Sequence, residues 1–286
     1  MKTWLITGGT SGFGMAYAEA ALDSGGRVVL TARKVDQLQE WADQYGDRVL
    51  VLPLDITDKR QIASTIGTAE AHFGHIDVLV NNAGGGSHGA VEDMDESTIR
   101  NTFEINFFGA VAMIRAVLPG MRARRSGYIV NMSSVGGVRA FPGVGYYNAA
   151  KFAIEGISES LRQEVEPLGI HILVIEPGAF RTRASSEGYT AHAPVVIDDY
   201  EGTVGVLRSA LVALNGKQPG DPRRAAQVIV ETIESGDPPH RLVLGNTGYE
   251  QVTAKLKTML EEIHTWEPIS RSVDFPDTTH RPGEYV

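Results

Sequence analysis

Tyr147 and Lys151 stand four residues apart in a stretch with helical periodicity, so they share one helix face. That pair can do acid–base chemistry. A free phenol titrates at about 10, too high for efficient proton exchange at neutral pH. A neighbouring ammonium favours the phenolate and lowers that value. Tyr146 checks the register: four residues after it comes Ala150, so of the two tyrosines only Tyr147 has a lysine partner. An isolated Tyr–Lys pair is more often a surface phenol beside a solvated amine, so a second feature has to add weight. It is the run Thr7-Gly8-Gly9-Thr10-Ser11-Gly12-Phe13-Gly14, followed by Met15-Ala16. Glycines there let the backbone approach a pyrophosphate, and the N-terminus of the next helix offers open N–H groups and a positive dipole end.

These residues need a frame, and the chain supplies a regular one. Short Val-, Ile- and Leu-rich runs predict buried parallel strands at 3–7, 27–32, 48–53, 76–81, 127–132, 170–176 and 241–245. Helical periodicity fills the intervals; Ile62, Ile66, Ala69 and Phe73, for example, fall on one face. Turn signals at Gly25-Gly26, Gly46-Asp47, Gly74-His75 and Gly169 punctuate the alternation. The expected fold is α/β: a single Rossmann-type, doubly wound parallel sheet of about seven strands, helices on both faces. The expected domain spans 1–265. Within it, residues 179–220 break the rhythm and are expected to form a small substrate-binding lobe or lid. Helices are expected at 221–235 and near 248–264, and an irregular tail over 266–286.

The motifs around this frame, taken in order, resemble those of the short-chain dehydrogenases/reductases. Thr-Gly-x3-Gly-x-Gly ends the first strand, and Asp55 follows the third in Leu54-Asp55-Ile56-Thr57. Asn81-Asn82-Ala83-Gly84 closes the fourth strand, and Asn106 lies in the helical stretch beyond it. Ser133-Ser134 ends the fifth strand, Tyr147-x3-Lys151 opens the next helix, and Pro177-Gly178 ends the sixth strand with Thr182 just after. The resemblance covers roughly residues 3–182, and within the family it is greatest to the 17β-hydroxysteroid-dehydrogenase-like and retinol-dehydrogenase-like members.

The resemblance implies an oxidoreductase that moves a hydride between a nicotinamide and a carbonyl/alcohol pair. Tyr147 would be the general acid/base. Lys151 would also bond the nicotinamide ribose, and Ser134, thirteen residues before Tyr147, would polarise the carbonyl. Asn106 would bend its helix and hold a water linking Lys151 to solvent. Gly8, Thr10, Ser11, Gly12, Phe13 and Gly14 would cradle the cofactor. Asp55 and Ile56 would meet the adenine, Asn82, Ala83 and Gly84 would lie along the dinucleotide, and Pro177, Gly178, Phe180 and Thr182 would grip the carboxamide. Ser133 is set aside as catalytic. Family members commonly pair through the helices at about 107–125 and 148–166, which implies a homodimer or homotetramer.

Cofactor choice turns on the end of the second strand, Leu30-Thr31-Ala32-Arg33-Lys34. NAD-selective relatives usually place an Asp there; this chain has Ala32 and then Arg33. A charge-assisted hydrogen bond from Arg33 to a 2′-phosphate contributes roughly 1.5–3 kcal/mol, on the order of tenfold to a hundredfold in affinity. Lys34 adds a screened charge. NADP(H) is therefore expected over NAD(H). The alternatives are an NAD-preferring steroid- or retinol-type dehydrogenase and a non-catalytic NADP(H)-binding regulator.

The bulk composition narrows the partners. A formal charge of -9 over 286 residues argues against a nucleic-acid field. No run of eighteen consecutive apolar residues predicts a membrane span. The absence of cysteine excludes disulfides and thiolate metal sites and suits a reducing cytoplasm. None of the eight histidines forms a helical pair beside a carboxylate, so no metal is expected; His88 and His192 are candidates to border the substrate pocket. Phe141, Val144, Phe180, Tyr189, Val195, Val196, Ile197 and Tyr200 predict an apolar site, so the expected partner is a small hydrophobic ketone or secondary alcohol.

Overall fold

The computed structural model describes residues 1–182, 190–192 (as backbone) and 197–275. Its centre is a seven-stranded parallel sheet. The strands are β1 (Thr3–Thr7), β2 (Arg27–Ala32), β3 (Val49–Pro53), β4 (Val78–Asn81), β6 (Gly127–Met132), β7 (Ile170–Pro177) and β9 (Arg241–Leu244), in the order β3-β2-β1-β4-β6-β7-β9. Two short strands, β5 (Gly86–His88) and β8 (Thr190–His192), make a separate parallel pair. All seven predicted strands of the main sheet are present, with ends shifted by at most two residues. The short pair was not predicted: three-residue strands leave too little pattern to read.

The sheet is buried on both sides, which is why its strands read as continuous apolar runs rather than alternating ones. On one face α1 (Gly12–Asp23), α2 (Asp36–Asp43) and α8 (Pro222–Glu234) pack Tyr17, Ala21, Leu38, Ile229 and Ile233 with Ile6, Leu30 and Val80. On the other, α3 (Lys59–Phe73), α5 (Gly109–Arg124) and α6 (Gly145–Val165) pack Ile62, Phe73, Met113, Val117 and Leu161 onto Leu5, Leu79 and Ile129. The predicted 58–73 helix begins at Lys59 because Asp58 caps it, accepting from the Arg60 and Gln61 N–H groups.

Strand order reverses between β1 and β4. In open α/β sheets ligands sit in the crevice at such a point, outside the carboxyl ends of the strands. The glycine turn leaves β1 there and Asn82-Ala83-Gly84 leaves β4. By length and composition the helical run Glu96–Arg124, which comprises α4 (Glu96–Phe103), a π-turn and α5, could cross a membrane. Its inner face, with Ala110, Met113, Ile114 and Val117, is part of the core described above.

The lobe expected over 179–220 contains β8, a 3-10 turn at Asp198–Tyr200, a π-turn at Glu201–Gly205 and α7 (Val206–Leu214). The segment after 265 departs from the irregular tail expected. α9 (Asn246–Thr265) is followed at once by α10 (Glu267–Arg271), with Pro268 near its start, where a missing N–H costs nothing. Residues 276–286 lie outside the described set.

Candidate active site

The crevice is built by hydrogen bonds that tie separate strand ends together. Thr7, the last residue of β1, accepts from the Asn82 and Ala83 N–H groups at 3.0 Å each and donates to the Val80 carbonyl at 3.2 Å. The Asn82 side chain donates back to the carbonyls of Thr7 (2.8 Å) and Gly8 (3.0 Å). Asn82 thus holds the glycine turn in place. Gly8 has φ +73°, a conformation that disfavours any side chain. At Gly14 a Cβ would lie 2.2 Å from the Gly8 carbonyl oxygen and 2.7 Å from Asn82 Nδ2, so only glycine lets α1 start this close to the turn. Ser11 precedes α1 with no side-chain cap, which leaves the first-turn N–H groups available to an anion.

The end of β7 closes over this cradle. The Thr182 side chain rests above Gly12, 3.2 Å from where a Cβ would be, and Phe180 packs on Phe13 with centroids 5.1 Å apart. Pro177 ends β7; Gly178 lets α9 approach, since a Cβ there would fall 2.5 Å from the Gly248 nitrogen. Thr10 is half-buried in the turn. Asp55 is partly engaged, one oxygen accepting from the Thr57 N–H and hydroxyl, and Ile56 is buried against Gly109. Arg33 and Lys34 are exposed just beyond β2, and neither makes a hydrogen bond or ion pair among the described residues. A glycine cradle that side chains would fill, an uncapped helix start and open cations at the β2 end together fit a phosphate-bearing dinucleotide.

Beside the cradle sits the expected acid–base set. The π-turn Glu104–Phe108 interrupts the helical run at Asn106, which is buried. Its amide donates to the carbonyls of Gly85 and Thr102 at 2.9 Å each and accepts from the Gly85 N–H at 3.3 Å. The side chain thereby anchors the loop after β4. Ser134 caps the 3-10 turn Val135–Gly137 by accepting from the Gly136 N–H at 3.0 Å. A Cβ on Gly136 would lie 3.4 Å from both Ser134 Oγ and Tyr147 Cε1, so serine and tyrosine flank one glycine. Lys151, buried, donates from Nζ to the Met132 carbonyl at 2.7 Å and lies 5.6 Å from the centre of the Tyr147 ring. The same Nζ is 3.8 Å from where a Gly84 Cβ would be.

The electrostatics correct one expectation. Lys151 was expected to lower the Tyr147 pKa; instead burial raises it, and only the hydrogen-bonding Ser134 hydroxyl opposes the rise. Lys151 is turned to the strand-end carbonyl, and burial lowers its own pKa to about 8, with Glu155 opposing. In this state Tyr147 is a proton donor, and at neutral pH the Lys151 cation still predominates.

Sequence reasoning missed the group behind Lys151. One turn along α6, Glu155 meets Arg241 at 2.7 Å, and Arg241 also holds buried Glu176 at 2.9 Å and Glu159 at 3.3 Å. The spacing Lys151–Glu155 was a visible i,i+4 signal; Arg241 and Glu176 come from strands far along the chain and were not. Burial raises the Glu155 pKa to about 7, despite the nearby Ser133 hydroxyl, Arg241 and Lys151. Its folded form therefore keeps a proton that the unfolded chain releases at about 4.3. Between those values the folded state binds more protons, so this group's contribution to stability is full in acid and is lost as pH rises through about 7. Glu155→Gln should flatten the fall in urea-unfolding stability between pH 5 and about 8; an unchanged slope would contradict this.

Other expectations resolve locally. Tyr146 donates to the Val91 carbonyl at 2.9 Å, a structural role. The Ser133 N–H bonds the strand-end carbonyls of Asn131 and Ile175. His88 lines a cavity of about 60 Å³ together with Gly143, Ile197, Tyr200 and Val204, and Phe141 and Val144 are half-buried nearby in sequence. Tyr189, Val195 and Val196 lie outside the described residues, as does the His192 side chain. Among the described residues no cluster of His, Asp and Glu is placed to hold a metal.

Comparison with known proteins places this geometry. The family model described as short chain dehydrogenase matches residues 2–192. Oxidoreductase BOA17 of Botryotinia fuckeliana is 37% identical over 94% of this chain and 98% of its own length. The 3-ketodihydrosphingosine reductase of Bacteroides thetaiotaomicron is 36% identical over 84% of this chain and 87% of its own. Among solved structures, a short-chain dehydrogenase from Streptomyces avermitilis superposes with a TM-score of 0.90 at 42% identity, covering 96% of this chain and 99% of that one. A serine dehydrogenase complexed with NADP+ superposes with a TM-score of 0.71 at 26% identity, covering 84% and 93%.

Proposed function

Because the chain belongs to the short-chain dehydrogenase family and is thus a nicotinamide-dependent oxidoreductase, we propose that it is an NADP(H)-dependent carbonyl reductase or alcohol dehydrogenase with Tyr147 as general acid/base. The observation that carries the reading is the shared position of three side chains. Ser134 and Tyr147 flank Gly136, and Lys151 Nζ reaches toward Gly84 beside the glycine turn. A bound nicotinamide would supply the hydride donor or acceptor. Ser134 would hold the substrate oxygen and Tyr147 would pass it a proton in reduction or accept one in oxidation. Lys151 would hold the ribose. Asn106 fixes the Gly85 loop and would keep a water between Lys151 and solvent.

Burial keeps the Tyr147 phenol protonated, the form that donates in reduction, and the ratio of NADPH to NADP+ would set the net direction. NADP(H) is favoured by Arg33, open at the end of β2 with no carboxylate at Ala32. An apolar ketone or secondary alcohol as substrate is the reading that Ile197, Val204, Leu207 and Leu211 favour in the lobe cavity, whose lining also holds Asp93, Glu201 and Arg208. The relative named 3-ketodihydrosphingosine reductase fits the same class. A ketone panel run with NADPH and with NADH, on wild type and Arg33→Ala, tests this. We expect turnover of apolar ketones and a kcat/KM preference for NADPH that falls on the order of tenfold to a hundredfold in Arg33→Ala. An NADH preference in wild type would overturn the cofactor assignment.

The proposal extends to a cytoplasmic setting and to assembly through α5 and α6. Phe108 (51% exposed), at the end of the π-turn that leads into α5, and Phe152 (44% exposed), on α6, present rings to solvent, while Ile114 belongs to the core. Light scattering should show at least a dimer; a monomer at all concentrations would remove the claim.

A further inference from the structure

Glu155 is a buried carboxylate that the proposed reaction does not use. It stands one turn along α6 from Lys151, and both are buried on the same side of that helix. Its Oε2 accepts from Arg241 at 2.7 Å. Its Oε1 makes no hydrogen bond among the described residues, and neither does the buried Ser133 hydroxyl. The two oxygens meet at Gly137, where a Cβ would fall 3.2 Å from Glu155 Oε1 and 2.4 Å from Ser133 Oγ. The charges here do not balance without Lys151. Arg241, from β9, also serves buried Glu176 of β7 at 2.9 Å, so two buried carboxylates share one guanidinium. Glu159, its third partner, is 63% exposed, and water screens it. His240, beside Arg241 and Glu159, is turned to the Ile172 carbonyl. Lys151 has the complementary deficit. Its ammonium donates to the neutral Met132 carbonyl, and its other polar neighbours, Tyr147 and Asn106, are neutral as well. An ammonium withdrawn from water among neutral groups gives up its proton easily, and a carboxylate one turn away opposes that loss.

We propose that Glu155 is a positioning residue: its carboxylate is the countercharge that keeps the Lys151 ammonium charged in the closed crevice, and Arg241 holds that carboxylate in place. Glu155 has this role in turnover only if Tyr147 and Lys151 carry the reaction proposed for them. In acid Glu155 keeps its proton and gives no help, but there Lys151 is charged without it. As pH rises through about 7 Glu155 ionises, and the charged form of Lys151 then persists to higher pH than it would alone. The dependence of Lys151 on Glu155 therefore appears on the alkaline side. A residue that merely packed α6 onto β7 would affect turnover alike at every pH.

NMR of lysine isotopically labelled at Cε follows the Lys151 proton directly, in the full-length protein and without turnover; Lys151→Arg assigns the signal. Glu155→Gln keeps an acceptor for Arg241 and should move the Lys151 titration to lower pH by about one unit, the lower end of what a nearby opposite charge does. Ser133→Ala removes a hydroxyl that eases the Glu155 charge and should move it the same way by less. Glu159→Gln touches the same arginine and should leave it in place. The kcat of Glu155→Gln relative to wild type should fall on the order of fivefold between about pH 6 and about pH 8. A Lys151 titration unmoved by Glu155→Gln, or moved as far by Glu159→Gln, would overturn the proposal. So would a kcat ratio that stays constant between those pH values. A displaced titration in a protein that reduces no ketone would support the pairing of Lys151 with Glu155 and would remove the proposed reaction instead.

Discussion

Tyr147→Phe is expected to lower kcat by about 10²- to 10⁴-fold, the usual worth of a positioned general acid or base, while NADPH affinity stays within a few-fold of wild type. The ring is lost from nothing: Phe fills the same half-buried space beside Gly136 and removes only the hydroxyl. Its oxygen is the group whose proton burial holds in place, with Ser134 the partner that partly releases it. Cofactor affinity is set elsewhere, at the glycine turn, the β4 end and the β2 end. Stopped-flow turnover alongside a fluorescence titration of NADPH separates the two effects. Wild-type turnover in the variant would show that another group moves the proton. Lost NADPH binding together with lost turnover would show instead that the tyrosine acts through the cofactor site.

Gly14→Ala should produce the opposite pattern. Its Cβ would fall 2.2 Å from the Gly8 carbonyl oxygen, and that oxygen is itself held by Asn82 at 3.0 Å. Neither side can yield cheaply. α1 is fixed by Tyr17, Ala18 and Ala21 in the core, and the turn is pinned through Asn82 and Thr7 to β4. Overpacking of this kind costs about 1–3 kcal/mol, which for a chain of this size lowers Tm by roughly 3–10 °C. The turn geometry that aims N–H groups at a phosphate is disturbed as well, so NADPH affinity should drop by at least about tenfold, or about 1.4 kcal/mol. Calorimetry and the same fluorescence titration check both. A variant with unchanged Tm and unchanged affinity would mean that the turn is not the cradle described.

What could be read before folding, and what could not, follows from the range of the interactions. The glycine turn and the Tyr147–Lys151 pair are local, with spacings that need no tertiary knowledge. The main strands were legible because burial on both faces leaves uninterrupted apolar runs such as Ile172–Ile175. Asn82 illustrates the limit. Its position along the crevice was expected, but its grip on the Gly8 carbonyl depends on β1 and β4 being neighbours, which only the strand order provides. The direction of the Tyr147 shift was misjudged for a similar reason. Helical spacing places Lys151 on the same face, yet burial, which depends on what the fold packs around the phenol, sets the direction. The Arg241 cluster joins α6, β7 and β9 and has no local signature at all. α10 was hidden by its two-sided polarity and by Pro268, which reads as a breaker but stands at a helix start.

The proposed reaction is hydride transfer between a nicotinamide and a carbonyl carbon at the Ser134–Tyr147 pair. The most direct measurement follows the hydride itself. NADPH stereospecifically deuterated at C4, in each of its two configurations, is turned over with an apolar ketone and the alcohol is examined by mass spectrometry and NMR. Deuterium is expected at the carbinol carbon from one configuration and not from the other, at full stoichiometry. Alcohol formed without label from either configuration, or label from both alike, would contradict it.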